Sequence, residues 1–339
     1  MARVHFLNVK NGDCSIIQHD NGHVTMIDVC NAEDLIVEHV AEESAGNLLE
    51  KSFGVSRVMG NFHQKEHPTN PVAYLKSLGC ATIFRYIQTH PDMDHMDGLA
   101  AIDRNFEIIN FWDIDNTEVK VWKSPIEAGY KQEDWDCYQR LRQSTSMPKS
   151  LRFLDGASAV YFREDANGLK NDDYLQILSP IQTLIDAAKK SKHWNDSSYV
   201  LLYQIGGKKI LFCGDADQAT IDHLVANHPE EIANIDILIA PHHGRDSGKD
   251  FSFLDTMKPQ VTFFGNGASQ EMAYPHWARR NLIMFTNNQA GNLLVELSAL
   301  RFTIYSSYKT FVDAFRAKNN FSPTIAHPQV EGMWMLLNL

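Results

Sequence analysis

The sequence predicts a layered α/β protein. Short apolar runs with strand character recur along the chain, and helix-forming stretches separate them. Three of the later runs end in polar side chains, at Asp215, at His242 and His243, and at Asn266. In layered α/β proteins functional side chains collect beyond strand ends, because the sheet fixes the backbone there while the side chain leaves the core. We therefore expect the functional residues at these ends.

Three predicted strands open the chain as hairpins: Val4–Val9, Cys14–Gln18 and Val24–Asp28. A fourth, Thr82–Ile87, precedes a predicted helix at Leu99–Phe106. The second half is more regular, and Gly206 and Gly207 predict a hairpin turn within it. Its predicted strands are Tyr174–Leu178, Tyr199–Ile205, Lys209–Cys213, Ile235–Ala240 and Val261–Phe264.

Two segments interrupt this pattern. Ala32–Gly79 mixes charged helix-forming stretches with loops, and Asp115–Asp172 is rich in Trp, Tyr, charge and turn residues. We interpret them as insertions in a single domain that spans residues 1–339, and the second insertion as a cap that faces the substrate.

The segment His90–His95 reads His-Pro-Asp-Met-Asp-His and directly follows a predicted strand. Two imidazoles and two carboxylates within six residues offer the nitrogen and oxygen donors that divalent cations prefer. A solvated turn is the alternative, but no turn type requires His-x-Asp-x-Asp-His. The spacing predicts a metal site.

The net charge of the chain limits the kinds of nucleic-acid partner that we expect. The net charge of −11 removes the basic face on which phosphate affinity normally depends. Bound dications would neutralise part of the acidic charge locally, so we expect a small nucleotide or a nucleic-acid end rather than extended duplex. Oligomeric state is not predicted by any pattern in the sequence.

The chain has no apolar run of membrane-spanning length and no apolar signal segment after Met1. We expect no membrane partner. The five cysteines are widely spaced and form no Cys-x-x-Cys pair, which is typical of reduced thiols in a cytoplasmic protein.

Four motifs together resemble those of metallo-β-lactamase-fold hydrolases. They are Asp28 after an apolar strand, His90–His95, Asp215 in Phe-Cys-Gly-Asp, and His243 in Ala-Pro-His-His-Gly, and they follow the family's order. The resemblance implies an αββα sandwich of two mixed sheets flanked by helices, with a dinuclear metal site at the sheet edge.

Within that superfamily the chain is most similar to the soluble hydrolase domain of ComEC-type competence proteins. The similarity lies in Leu7–Ile17, His90–His95, Asn195–Leu201 and Pro241–Gly244, with an imperfect match at Tyr274-Pro-His276. It covers roughly residues 1–30, 80–110 and 195–300 and leaves both insertions unexplained.

The resemblance implies two divalent metal ions, Zn²⁺ or Mn²⁺. It places His90 and Asp92 on one ion, Asp94 and His95 on the other, and Asp215 between them. The resemblance also implies that His243 is a metal ligand.

Two departures from the superfamily pattern matter. Asp92 stands where most members have histidine, as in ComEC-type domains, and the usual single histidine before the Gly-Asp motif is not clearly present. His193 is slightly displaced from that position, whereas Asn195 fits the ComEC-like pattern. Carboxylate and amide donors favour harder cations, which makes Mn²⁺ a competitor of Zn²⁺.

The expected mechanism uses a metal-bridging hydroxide as nucleophile. Asp94 can orient it, and Asp28 is expected behind the ligands, bonded to a ligand histidine or to the Gly-Asp loop. The acid that protonates the leaving group is His242, His276 or metal-bound water, with a packed structural role as the alternative for His242.

These observations favour a metal-dependent hydrolase of phosphodiester bonds, either a nuclease or a nucleotide phosphodiesterase. The same hydroxide would also hydrolyse an ester, thioester or lactone. A third hypothesis is a metal-stabilised binding or sensing module without turnover.

Overall fold

The computed structural model describes residues 2–35, 60–157, 162, 173–298, 301–321 and 323–339. Its strands in chain order are β1 Arg3–Phe6, β2 Ser15–Gln18, β3 Val24–Ile27, β4 Thr82–Ile87, β5 Glu107–Trp112, β6 Ile126–Glu127, β7 Tyr130–Lys131, β8 Lys149–Leu151, β9 Tyr174–Ser179, β10 Val200–Ile205, β11 Lys208–Phe212, β12 Ile237–Ile239, β13 Val261–Phe264, β14 Ile283–Thr286, β15 Leu293–Leu297, β16 Phe302–Ser306 and β17 Trp334–Asn338.

The helices of the described residues are α1 Pro71–Ser77, α2 Leu99–Asn105, α3 Gln132–Arg142, α4 Gln182–Ser191, α5 Gln218–Asn227, α6 Phe253–Met257, α7 Tyr274–Arg279, α8 Asn287–Ala290 and α9 Lys309–Lys318. Among these residues, no helix combines the length and apolar character that a bilayer crossing requires. All five cysteines are free thiols and four of them are buried, which agrees with the expected reduced state.

The strands form two mixed sheets. The first has the order β17-β16-β15-β1-β2-β3-β4-β5-β8, antiparallel up to β3 and parallel from β3 to β8. The second has the order β14-β13-β12-β11-β10-β9, parallel from β14 to β11 and antiparallel beyond. Strands β6 and β7 form a separate hairpin.

Three apolar cores order these sheets into layers. The central core joins both sheets, for example through Phe6 and Phe263, whose ring centroids lie 6.1 Å apart. A second core packs α1, α2 and α3 on the outer face of the first sheet, and a third packs α5, α6 and α7 on the outer face of the second. The result is the αββα sandwich that the resemblance implied.

Most predicted strands are confirmed within a residue or two, and Thr82–Ile87 and Val261–Phe264 match fully. The first strand is shorter than predicted, because the Val9 amide bonds back to the Leu7 carbonyl at 3.0 Å in a tight turn. Strands β5 to β8 and β14 to β17 were not predicted. The apolar run of β15 is almost wholly buried and barely alternates, so its period does not distinguish strand from helix.

Both predicted insertions contain parts of the sandwich. Helix α1, in the first, buries Val72 and Leu75 in the outer core, and β8, in the second, pairs with β5 at the sheet edge. Residues 36–59 of the first and 158–161 and 163–172 of the second lie outside the described residues. The single-domain boundaries therefore remain a prediction.

Gly12 lies where the loop after β1 meets the segment after β4. A Cβ added at Gly12 would stand 2.0 Å from the Asp94 carbonyl oxygen and 2.9 Å from Cys30. Backbone atoms at that distance cannot be avoided by a side-chain rotation, so the His90–His95 segment itself would have to shift. The glycine thus permits the close approach of these two loops.

We expect Gly12→Ala to reduce the free energy of unfolding by about 2–4 kcal/mol. The control is Gly22→Ala, also at a positive φ but with no atom within 4 Å of the added Cβ. We expect Gly22→Ala to reduce the free energy of unfolding by only about 1 kcal/mol. Urea denaturation measures both variants, and equal losses would contradict the close approach.

Candidate metal centre

The predicted ligands converge where the two sheets meet. Asp28 follows β3, the His90–His95 segment follows β4, Asp215 follows β11 and His243 follows β12. These four strands belong to the parallel parts of the two sheets, so their carboxyl ends open on a common cleft. The ligand atoms of Asp94, His95, Asp215 and His243 all lie within 4.8 Å of one another.

The backbone is held in costly conformations at this point. His242 and His243 are consecutive left-handed residues, with φ of 55° and 56°, and Asp28 also has a φ of 55°. Each such conformation costs roughly 1–2 kcal/mol in a residue other than glycine. Strain of this kind persists where the surrounding structure fixes the side chains for another purpose.

Three histidines of the cleft each present the Nδ1 atom to an oxygen. His95 Nδ1 lies 2.7 Å from Asp28 Oδ2, and His243 Nδ1 lies 3.0 Å from Asp13 Oδ1. His90 Nδ1 lies 3.0 Å from the Thr89 hydroxyl oxygen, whose own hydrogen is given to Asp28 at 2.6 Å. Since a carboxylate can only accept, and this hydroxyl hydrogen is already used, each Nδ1 donates. Each Nε2 therefore faces the cleft.

The two oxygens of Asp215 face different groups. Asp215 Oδ1 lies 3.0 Å from His95 Nε2 and 3.5 Å from His243 Nε2, while Asp94 Oδ2 is 3.5 Å from the latter. Asp215 Oδ2 lies 3.8 Å from His90 Nε2, which is itself 3.6 Å from Asp92 Oδ2. Asp215 thus lies between two halves of the site. One half contains Asp94, His95 and His243, and the other, the His90 half, contains His90 and Asp92. The resemblance implied this pairing.

The donor atoms fit a cation. The Nε2 atoms of His90, His95 and His243 and the Oδ1 atom of Asp215 are buried and have no aligned hydrogen-bond partner. Buried polar atoms are normally paired, and an unpaired one costs about 1–3 kcal/mol. Such unpaired nitrogen and oxygen atoms on both sides of Asp215 are of the types that bind divalent transition metals.

Electrostatics agree with this interpretation. Burial alone would lower the pKa values of His95 and His243, but the surrounding carboxylates, Asp215 foremost, outweigh it. The pKa of His243 rises to about 10 and that of His95 lies well above its usual range. Burial opposes ionisation of Asp215, yet His243 and His95 hold its pKa well below the usual range. In the cation-free cleft, protons supply the positive charge.

The half around His90 is more open, because Asp92 is 40% exposed. His242 also faces this half, with Nε2 3.5 Å from Asp215 Oδ2, and burial lowers its pKa. Asn195 Nδ2 reaches the same oxygen at 3.5 Å, whereas the His193 side chain is exposed. The structure thus brings Asn195, and not His193, to the cleft.

His276 lies at a different place. Its ring stacks on Phe251 with centroids 4.0 Å apart, and its Nε2 lies 3.7 Å from Asp246 Oδ2. Helix α7 points the ring toward these neighbours, and the described contacts of His276 include none of the predicted ligands. The structure therefore does not bring this candidate acid to the cleft.

Sequence reasoning missed several residues of the cleft. Asp13 lies between the first two predicted strands, within the Leu7–Ile17 stretch that carries the resemblance, and no role was predicted for it. Thr89 lies directly before the motif. Lys120 and Tyr130, from the second predicted insertion, are near enough to interact electrostatically with Asp92 and Asp94 respectively. The second insertion was interpreted as a cap that faces the substrate, but no motif singled out these two residues within it.

Comparisons with known proteins find only distant structural similarity at low identity. Neither a family model nor a curated protein sequence matches the chain. Among solved structures, a Thermotoga maritima protein described as a zinc-dependent hydrolase of the metallo-β-lactamase superfamily is 10% identical, with 83% of this chain and 81% of that chain covered and a TM-score of 0.33.

Two further solved structures are similar to this chain, with identities and TM-scores in the same range. The CmlA β-hydroxylase E377D mutant is 11% identical, with 86% of this chain and 54% of that chain covered and a TM-score of 0.43. A diphosphatase from the PhnP family is 10% identical, with 78% and 86% covered and a TM-score of 0.36. The layers described above, and not these overlaps, establish the αββα sandwich.

Proposed function

We propose that this chain is a divalent-metal-dependent hydrolase of the metallo-β-lactamase superfamily that cleaves phosphodiester bonds, in a nucleotide or at a nucleic-acid end. The observation that carries the proposal is the two-sided environment of Asp215, where each carboxylate oxygen faces at least one unpaired imidazole nitrogen. The free thiols further support a cytoplasmic location.

The residues fit two ions. Asp94, His95 and His243 would hold one with Asp215 Oδ1, and His90 and Asp92 would hold the other with Asp215 Oδ2. Divalent ions held there would supply a lowered pKa for a nearby water and positive charge for the oxygen that becomes more negative during hydrolysis. The mixture of carboxylate and imidazole suits both Zn²⁺ and Mn²⁺.

The protein's own residues orient the ligand side chains and set the charge around the cleft. Asp28 and Asp13 fix the ring orientation of His95 and His243 and keep each Nε2 directed at the cleft. Asp94 is 23% exposed, so its carboxylate borders the opening and can accept a hydrogen bond from an incoming water. The positive charge of Lys120 helps to lower the pKa of Asp92, and we propose that the same charge attracts an anionic substrate.

Phosphodiester chemistry is favoured over carboxylic ester chemistry by the charge of this opening. Asp92 replaces a neutral imidazole by a carboxylate. Burial would raise the pKa of that carboxyl, but the bond to His90 and the charges of His90 and Lys120 together outweigh burial and lower it. An ionised, oxygen-rich half suits hard cations that also bind phosphate oxygens. The overall charge of −11 favours a small nucleotide or a strand end over a long duplex.

His242 is proposed as a further ligand of the His90 half. Its Nε2 is 3.5 Å from Asp215 Oδ2, and the single histidine that the superfamily usually has before the Gly-Asp motif is not clearly present in this sequence. The lowered pKa keeps the ring neutral at pH 7, the form that binds cations and cannot act as an acid.

We expect metal affinity to rise with pH. A cation needs the bare Nε2 atoms of His95 and His243, whose raised pKa values mean that both rings are protonated at pH 7 without it. Displacement of one or two protons predicts an increase of about 10- to 100-fold per pH unit between pH 6 and pH 8. Calorimetric titration with Mn²⁺ measures this slope, and a Kd independent of pH would contradict the assignment.

Asp215→Asn is expected to lower metal-dependent hydrolysis of bis-p-nitrophenyl phosphate by about 100-fold or more, because the shared carboxylate is lost. Asp250→Asn is the matched control, since Asp250 is exposed and bonds only Ser252 among its described side-chain partners. Absence of turnover in the wild type would favour a binding module. Turnover of p-nitrophenyl acetate alone would favour an esterase, and either result would contradict the proposal.

His242→Gln is expected to release about one equivalent of bound metal and to lower kcat by about 10- to 100-fold. His193→Gln, at an exposed histidine, should keep the metal content of the wild type. Mass-spectrometric metal analysis after dialysis distinguishes the roles. Full metal content in His242→Gln, with a changed pH profile of kcat, would instead assign His242 to proton transfer.

A further inference from the structure

A second group of potential ligands lies outside the cleft. Asp155 follows β8 at the edge of the first sheet, His223 lies in α5, and His228 directly follows α5. His223 Nε2 and His228 Nε2 lie 3.2 Å and 2.8 Å from the same oxygen, Asp155 Oδ2. The side chains of His223, His228 and Asp155 are 7%, 12% and 16% exposed, respectively. They therefore form a shielded cluster on the helix side of the second sheet.

Hydrogen bonds within the protein do not satisfy every imidazole nitrogen of this cluster. If both Nε2 atoms donate to Asp155, each neutral ring has a bare Nδ1. Asn227 satisfies His223 Nδ1 at 3.1 Å, but His228 Nδ1 is buried without a hydrogen-bond partner, and the nearest carboxylate oxygen, on Glu231, is 3.8 Å away. A bare nitrogen and a carboxylate oxygen repel each other.

The mismatch at His228 is relieved if the Nε2 atoms bind a cation. Each Nδ1 then carries hydrogen, and His228 Nδ1 faces the Glu231 carboxylate as a donor. Asn227 Nδ2 also donates to the His223 carbonyl at 3.0 Å, so a metal-bound His223 requires the Asn227 side chain to rotate and present its oxygen to Nδ1 instead. An oxygen acceptor behind each imidazole is the usual arrangement of metal-bound histidines.

We propose that Asp155, His223 and His228 bind a divalent transition-metal ion, with Zn²⁺ as the best match. Two imidazoles and one carboxylate are zinc ligands, and the Leu178 carbonyl oxygen, 3.1 Å from His223 Nε2, offers a further oxygen nearby. The ion would tie the loop after β8 to α5, and so the edge of one sheet to the helix layer of the other. The site is separate from the cleft and does not depend on the proposed function.

The test uses the full chain, stripped of metal, reloaded with Zn²⁺ or Co²⁺ and dialysed. We expect His228→Gln and Asp155→Asn each to hold about one equivalent less than the wild type, and to lose the visible Co²⁺ absorption of one nitrogen-and-oxygen site. The control is His63→Gln, an exposed histidine that also lies 2.8 Å from a single carboxylate, on Glu66. It should match the wild type.

Variants of the cleft separate this site from the proposed function. Asp215→Asn should lose cleft metal and activity but keep the equivalent that His228→Gln loses. Equal metal content in the wild type, His228→Gln and Asp155→Asn would overturn the proposal and assign the cluster to a protonated hydrogen-bond network. If both variants fail to fold, NMR of the wild-type histidines decides: rings that titrate freely with pH in the presence of Zn²⁺ would also overturn it.

Discussion

The structure depends on the burial of Asp215 between the two sheets. Its carboxylate is almost inaccessible to water, and a buried charge must be compensated by partners or by an ion. His95 and His243 supply that compensation as protonated rings, and Asp28 and Asp13 in turn hold those rings. Removal of one member would leave the others charged and unpaired. The same arrangement makes the cleft a receptor for cations, which can replace the protons.

Motifs at strand ends predicted which side chains meet in this cleft. The family resemblance implied that His90 and Asp92 lie on one side of Asp215 and that Asp94 and His95 lie on the other. Their side chains have this arrangement, while their role as metal ligands stays a prediction. Such motifs succeed because a parallel strand fixes both the position and the direction of the residues that follow it. Asp28 was likewise expected behind the ligands, and it bonds His95.

Long-range contacts could not be predicted in this way. Asp13 reaches His243 across 230 residues of sequence, and Lys120 approaches Asp92 from a predicted insertion. Neither contact follows from local periodicity, because tertiary packing alone decides which loops meet. The missed strands of the C-terminal region have a related cause, since a buried apolar run such as Leu293–Leu297 has no distinguishing period.

The central claim is that the two oxygens of Asp215 serve two different ions. Anomalous diffraction from crystals grown with Mn²⁺ or Zn²⁺ tests it most directly. The account predicts two peaks, one among Asp94, His95 and His243 beside Oδ1, and one near His90 and Asp92 beside Oδ2. No peak at Asp215, or a single ion that engages both carboxylate oxygens, would contradict it.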